Sequence, residues 1–487
     1  MHSRAITVST LWQIGSQAVM AVLSAVTVKF VAIGLSQELA GVYNSAYGFL
    51  QLFAILADFG LYAVSINELS KSDKKEDVLG ALLTIRVALT ACSLGAAILI
   101  AWVIPIWHGT ALPLSISIAA LVPVLTLLAG VLRTVFQIAY RMHIVFIAEV
   151  LQRLVTAILM SLVIYSGVRS SNDSDTLHLF LWLGVLGSLT LFLISFVFAL
   201  RSIRIRFVFR WSALQPLLLR ALPYGAAFLC IALYRQFDLT MIALLRDDFQ
   251  LQNAKYGFAL RVAEMTYLVP TFLLNSALPV LSANITEKRD TQRLLRSTLT
   301  ALLLLGLFSS IFAALWARPL MHLFTDTVYL SSFQSPGADT ALLLLAPSMF
   351  LNMIVLFSFY VLLSRHRWQP MMLPMLLAVV LSIAMNLFLI PRYGFSGAAV
   401  TLGVVHLLLA ITLFPIARAA LPFHFPLADL LRIACVGVGL ILVAILLLPV
   451  LQSTIGTILG GTVALILSGC VLLLSGIHRS LVRHEAT

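Results

Sequence analysis

Two arginine–carboxylate pairs stand inside apolar stretches of this 487-residue sequence. Arg235 precedes Asp238 in "FLCIALYRQFDLTMIALL". Arg261 precedes Glu264 in "KYGFALRVAEMTYLVP". Residues three apart on a helix share a face, so each pair can neutralise itself and hold helices together. The fork of an arginine also matches phosphate oxygens, so the same residues could instead exchange a carboxylate for an anionic ligand.

A third acidic residue, Asp58, lies well inside an apolar segment and has no basic neighbour on its own helical face. Ionisable residues at such depth are expensive and often belong to ion or proton pathways. Asp58 is therefore the first candidate for ion coupling, and Glu264 is the second. The alternative is that Asp58 accepts hydrogen bonds from another helix.

The composition indicates that these segments lie in a membrane. Hydrophobic residues make up 61% of the chain and charged residues only 10%, with a mean hydropathy of +1.04. A bilayer core is crossed by roughly 20 apolar residues in a helix, and runs of that length recur throughout. The four isolated cysteines indicate neither a metal site nor a disulfide. The sequence predicts an all-α polytopic membrane protein of about fourteen transmembrane helices, beginning near residues 6, 39, 79, 113, 144, 176, 212, 252, 294, 338, 370, 394, 428 and 454.

Basic residues are distributed unevenly between alternate loops. Odd-numbered loops contain only Arg169, Arg246 and Arg392, whereas the termini and even-numbered loops contain twenty lysines and arginines. Positive charge marks the cytoplasmic side, so both termini are predicted to be cytoplasmic. The net charge of +12 is thus mainly a topology signal and does not indicate nucleic-acid binding.

Polar side chains form stripes on predicted helices 1, 2, 7 and 8, whereas most other helices are almost purely apolar. Such stripes face a bundle interior or a water-filled cavity. Their placement early in the chain and just past its middle suggests two equivalent halves. We predict an N-lobe at 1–210, a C-lobe at 211–420 and two further helices at 421–487. The candidate cavity residues are Gln13, Gln17, Asn44, Gln51, Asp58, Arg235, Asp238, Arg261, Glu264 and Asn275.

The order and spacing of several segments resemble a known family. These are "VAIGLSQELAGVYNSAYGFLQLFAILADFGL" at helices 1–2, "LPYGAAFLCIALYRQFDLTMIALL" at helix 7, "KYGFALRVAEMTYLVPTFLLNSALPVLSANI" at helix 8, and "NLFLIPRYGFSGAAVTLG". The chain resembles the polysaccharide-exporting flippases of the multidrug/oligosaccharidyl-lipid/polysaccharide exporter superfamily, especially bacterial O-antigen and lipid-linked oligosaccharide flippases. The resemblance implies a V-shaped pair of six-helix lobes with a central cavity lined by helices 1, 2, 7 and 8.

The resemblance also implies a cargo. It is a polyprenyl-pyrophosphate-linked oligosaccharide, moved from the cytoplasmic to the periplasmic leaflet of the bacterial inner membrane by alternating access. Arg235 and Arg261 are the candidates for the pyrophosphate, with Gln13, Gln17, Asn44, Gln51 and Asn275 for the sugars. H⁺ or Na⁺ is the expected coupling ion, no cofactor is expected, and a polysaccharide polymerase or ligase is a possible partner.

The chain departs from the family before the turn between helices 1 and 2, where members usually have a basic residue. Lys29 lies about one turn earlier and off the polar stripe. It could substitute for that residue as a cavity residue, or it could extend to the periplasmic surface.

Three other functions compete with this one. A multidrug exporter for cations shares the fold but relies on unpaired carboxylates, and a lipid II flippase would be expected to have more basic residues on helices 1 and 2. A membrane enzyme such as a ligase is disfavoured because the predicted periplasmic loops are short and nearly free of basic groups. The sequence also has no G-x-x-x-x-G-K-[ST] phosphate loop, so we do not expect an enzyme.

Overall fold

The computed structural model describes residues 19–61, 64–65, 68–69, 75–139, 141–203, 207–282, 288–365 and 369–474. Among these residues, twelve helices are long and apolar enough to cross a bilayer, and a bent pair makes a thirteenth. A shorter apolar helix is described from Val19. The helices are α1 (Val19–Gly34), α2 (Gln37–Asp58), α3 (Glu76–Val103), α4 (Leu112–Gln137), α5 (Met142–Tyr165), α6 (Ser174–Leu200), α7 (Trp211–Leu222 with Gly225–Gln236), α8 (Phe249–Asn275), α9 (Thr291–Leu315), α10 (Ala338–Ser364), α11 (Gln369–Tyr393), α12 (Phe395–Ala420), α13 (Leu427–Leu451) and α14 (Thr454–Leu473).

Each predicted helix has a counterpart among these fourteen, and the prediction of an all-helical polytopic membrane protein is confirmed. The chain forms two compact units, Met1–Gly257 and Phe258–Thr487, and the boundary falls inside α8. The predicted lobe limits at residues 210 and 420, and the cytoplasmic placement of the termini, stay predictions.

Loops of odd number contact one another in the first unit. The loop between α1 and α2 pairs with the loop between α5 and α6, where the Ser171 N–H donates to the Gly34 carbonyl at 3.0 Å. The Trp107 indole, after α3, donates to the Ala243 carbonyl at 2.8 Å. These loops therefore lie on one side of the unit, as a chain that crosses back and forth requires.

One of the few basic residues in the odd loops is neutralised locally. Arg246 donates to both carboxylate oxygens of Asp248, with Nε–Oδ1 and Nη2–Oδ2 distances of 2.7 and 3.0 Å. This hydrogen bonding holds the pKa of the Asp248 carboxyl below its usual range. With Asp247 beside this bidentate pair, the loop has no excess of positive charge.

Helices α2, α7 and α8 are interrupted at identifiable residues. In α8 a turn at Thr266 and Tyr267 precedes Pro270, because proline has no N–H to give to the carbonyl four residues earlier. The two parts of α7, Trp211–Leu222 and Gly225–Gln236, meet at 47°. Helix α2 ends with Phe59 in the left-handed region, at φ 44°.

Two glycines bring α2 close to two later segments. A Cβ atom added at Gly41 would lie 1.7 Å from the Gln250 carbonyl oxygen at the start of α8. At Gly48 it would lie 2.7 Å from Leu239 Cβ, in the short helix Asp238–Leu245. Glycine is required at Gly41 because the atom in the way belongs to the backbone.

We expect Gly41→Ala to destabilise the protein, because the new methyl group forces α2 away from α8. The cost of such overpacking is about 1–3 kcal/mol, measured as a lower unfolding temperature in detergent. Gly95→Ala is the matched control, since no atom lies within 4 Å of its added Cβ. There the greater helix propensity of alanine should be neutral or stabilising, and equal effects of the two substitutions would contradict the close approach.

Candidate functional site

Two asparagines join α2 to the start of α8 in the first unit. The Asn44 amide donates to the Asn253 carbonyl at 3.1 Å. The Asn253 amide donates to the Ser45 hydroxyl at 2.8 Å and to the Leu239 carbonyl at 2.9 Å. Both asparagines are fully buried, and their Oδ1 atoms have no hydrogen-bond partner among the described residues. In this conformation Asn44 is inaccessible to a sugar, so its predicted role stays a prediction.

Asp238 is fully buried at the first position of the short helix Asp238–Leu245. The Tyr256 hydroxyl donates to its Oδ2 at 2.8 Å. Arg235 is half-buried in the last turn of the helix that ends at Gln236. The two residues therefore lie on different helices, whereas the sequence predicted one continuous helix 7. Periodicity could not detect this break, because no proline or glycine marks it.

Asp58 forms an ion pair with Arg86 of α3. Its Oδ1 lies 2.7 Å from Arg86 Nη1, which also donates to the Ala57 carbonyl at 3.3 Å. The Arg86 side chain is 2% exposed and that of Asp58 is 31% exposed. Protonation of Asp58 would leave a buried guanidinium without its counter-charge. The predicted role of Asp58 in ion coupling stays a prediction.

Other charged residues of the first unit are also bridged between helices. Arg220 pairs with Glu68 at 2.5 Å, and Arg133 pairs with Glu149 at 2.6 Å. Periodicity within one helix does not identify these partners, because each pair joins two separate segments of the chain. Of the remaining candidates, Lys29 is half-buried and Gln51 is exposed, whereas Gln13 and Gln17 lie outside the described residues.

In the second unit, Asn275 at the end of α8 is exposed, and its Oδ1 accepts a hydrogen bond from the Tyr360 hydroxyl at 2.9 Å. Arg261 and Glu264 are half-buried on the same helix, one turn before the break at Thr266. The structure thus retains the predicted three-residue spacing of this pair on one helix.

A cavity of about 830 Å³ lies in the second unit between α8, α9, α10, α13 and α14. None of the described residues that line it is charged. Most of its hydroxyl groups are turned to their own helices, since Thr266 donates to the Ala263 carbonyl and Ser309 to the Leu305 carbonyl. The Ser468 hydroxyl is the exception, with no hydrogen-bond partner among the described residues. The remaining wall is aliphatic and aromatic, so the cavity suits an apolar ligand bound without directional contacts. Representative lining residues are Phe308, Phe312, Trp316, Leu440 and Leu465.

We expect the Asp58–Arg86 pair to respond asymmetrically to substitution. Asp58→Asn leaves a buried arginine that cannot deprotonate, at a cost of about 3–5 kcal/mol. Arg86→Met leaves a carboxylate that water can reach, so the loss should be smaller, about 1–2 kcal/mol. The double variant should resemble Arg86→Met, because neither charge then remains. Unfolding in detergent measures all three, and equal losses for the two single variants would contradict burial of Arg86.

Known protein families and solved structures resemble this chain in sequence and in fold, respectively. The family described as "Polysaccharide biosynthesis protein" matches residues 6–284, and the MatE family matches residues 223–388. No curated protein matches the sequence. The lipid II flippase MurJ, in an inward closed conformation, is similar in structure with a TM-score of 0.64 and 13% identity, covering 96% of this chain and 99% of that chain.

Two further solved structures share the fold. One is an inward-facing multidrug resistance MATE family transporter of the MOP superfamily, with a TM-score of 0.64, 13% identity and coverage of 85% of this chain and 98% of that chain. The other is a MOP superfamily transporter from Pyrococcus furiosus, with a TM-score of 0.62, 13% identity and coverage of 86% and 95%. At these identities the likeness concerns the fold alone. Since the family match covers more than half of the sequence, the chain belongs to the polysaccharide biosynthesis protein family.

Proposed function

We propose that this protein is a flippase for a polyprenyl-pyrophosphate-linked oligosaccharide, such as an O-antigen or another surface polysaccharide unit, in the bacterial inner membrane. The observation that carries the proposal is the uncharged cavity of about 830 Å³ in the second unit. A flippase for such a lipid has to accommodate a long apolar chain beside a polar headgroup. This cavity supports the apolar part of that requirement.

The headgroup poses the larger energetic problem. A pyrophosphate and its sugars lose hydration in about 30 Å of hydrocarbon unless the protein replaces it. Arg235 and Arg261 are our candidates for the pyrophosphate, because guanidinium groups match phosphate oxygens bidentately. Amide side chains such as Gln51 and Asn275 offer weak hydrogen bonds that suit sugars of varied structure.

The charged residues favour this cargo over a cationic drug. An exporter of cations needs carboxylates that are available to its ligand. Here Asp58 pairs with Arg86, and Asp238 accepts a hydrogen bond from Tyr256 while fully buried. An anionic cargo does not depend on these carboxylates. We expect H⁺ or Na⁺ to drive transport, with a polymerase or ligase using the product.

The proposal is tested by deleting the gene and identifying the lipid-linked sugars that accumulate, by mass spectrometry of extracted lipids. One polyprenyl-pyrophosphate oligosaccharide should accumulate, and the wild-type gene should clear it. Arg235→Ala and Arg261→Ala should clear it at least tenfold more slowly, since each loses a charge-assisted contact of about 1.5–3 kcal/mol.

Arg392→Ala is the matched control, because Arg392 is exposed at the end of α11 and its guanidinium donates to the Phe388 carbonyl of its own helix. It should clear the lipid as the wild type does, at equal amounts of protein in the membrane. Accumulation of lipid II instead would make the chain a flippase for the peptidoglycan precursor. Sensitivity to cationic dyes without any accumulated lipid would overturn the proposal in favour of drug export.

A further inference from the structure

A second, smaller cavity of about 350 Å³ lies in the second unit between α9, α10, α12, α13 and the segment that joins α12 to α13. Its volume is within the usual range for ligand sites, about 300–1,000 Å³. Of the ten lining residues that the structure describes, nine are aliphatic or aromatic, and the tenth is Arg418. It shares no residue with the 830 Å³ cavity. The residues used below are Leu299, Phe350, Ile354, Phe414, Arg418 and Phe423.

Arg418 is exposed near the end of α12, one turn after Phe414. It has no hydrogen-bond or ion-pair partner within the part of the chain that the structure describes. At the edge of an apolar cavity, the protein itself offers this guanidinium few hydrogen-bond acceptors. An anion from outside the chain would satisfy it.

A fixed cluster of charge lies beside the same cavity. Asp429 is fully buried and accepts a hydrogen bond from Arg296 Nε at 2.5 Å. Its other carboxylate oxygen lies 3.7 Å from Arg432 Nη1. Asp429 immediately precedes the lining residue Leu430, and Arg296 precedes Leu299 by one turn.

The carboxylate therefore positions two arginines next to the cavity while neutralising only one of them. Arg296 and Arg432 remain 38% and 49% exposed. Together with Arg418, they give this edge of the unit three positive charges against one negative charge. All three arginines belong to even-numbered loops or the helix ends beside them, which the charge distribution predicts to be cytoplasmic.

We propose that this cavity binds an anionic phospholipid of the surrounding bilayer. One acyl chain enters between Leu299, Ile354 and Phe414, and the headgroup phosphate lies against Arg418. Basic recesses between helices on the cytoplasmic side are suited to acidic lipid headgroups. This lipid is not the transported cargo, so the inference does not depend on the proposed function.

A membrane lipid fits the site better than a soluble anion. The cavity offers a phosphate ion only its charged edge and leaves the Phe350 and Phe423 walls unfilled. Nearby apolar side chains are strongly exposed, with Leu427 at 70% and Leu431 at 60%. A bilayer covers such a surface, so lipid chains are present at the cavity at high local concentration.

The test uses the full-length protein purified in a neutral detergent. Its unfolding temperature and its bound lipids, by native mass spectrometry, are measured with added phosphatidylglycerol, phosphatidylethanolamine or inorganic phosphate. We expect phosphatidylglycerol alone to bind and to raise the unfolding temperature of the wild type, because a ligand of the folded state stabilises it.

Two variants remove different halves of the site. Arg418→Gln should weaken phosphatidylglycerol binding roughly fivefold to tenfold through loss of one surface cation. Ile354→Phe should weaken it by filling the cavity while all charges remain. Arg392→Gln, an exposed arginine at the end of another helix, should bind phosphatidylglycerol as the wild type does.

Three results would overturn the proposal. One is equal stabilisation by phosphatidylethanolamine, which would mean a nonspecific acyl-chain pocket. Another is stabilisation by inorganic phosphate alone, which would indicate a soluble anion. The third is an equal loss of binding in Arg392→Gln and Arg418→Gln, which would indicate a general effect of surface charge. A variant with a lowered unfolding temperature before lipid is added is judged by mass spectrometry alone.

Discussion

Arg86 imposes the strongest single constraint on the first unit. It lies ten residues after Glu76, about 15 Å along α3, and its side chain is almost completely buried. A guanidinium cannot relieve burial by losing its proton, so an acceptor has to be present at all times. Asp58 and the Ala57 carbonyl provide it, and they are the last two residues of α2. The charge thus attaches α3 to the point where α2 ends and the chain turns left-handed at Phe59.

The other half of α2 is attached by polar groups without charge. Gly41 and Gly48 let the later segments approach, and the amides of Asn44 and Asn253 then hydrogen-bond across the contact. Each amide leaves one buried oxygen unpaired among the described residues. A contact of this kind is held by few directional bonds and costs little to separate where water can reach it. The ion pair and the amide contact therefore give the two halves of one helix very different resistance to movement.

The sequence predicts the helices well and their side-chain partners poorly, for a physical reason. Hydropathy over twenty residues is a local property of the sequence, so each of the fourteen predicted helices has a counterpart in the structure. Partners such as Arg86 for Asp58 depend on how separate helices pack, which no periodicity within one helix contains. The assignment of Arg235 and Asp238 to two helices does not follow from the sequence pattern, because the break after Gln236 has no proline or glycine. By contrast, the interruption of α8 lies beside Pro270, and the missing N–H of proline is a property of the residue itself.

The two cavities of the second unit differ in charge. No described residue that lines the larger one is charged, as release of a transported lipid would require, and the smaller one is edged by arginines, as permanent binding would require. In the larger one, hydroxyl groups such as Ser309 and Thr266 already donate to carbonyls of their own helices, so an apolar chain would meet no directional contact to hold it. A transported lipid has to leave again, and weak contacts without direction allow this. The smaller cavity adds the fixed charges of Arg296 and Arg432, which Asp429 positions from a fully buried site. Charge-assisted contacts raise residence time, so a lipid bound there would remain as part of the folded protein while the cargo passes elsewhere.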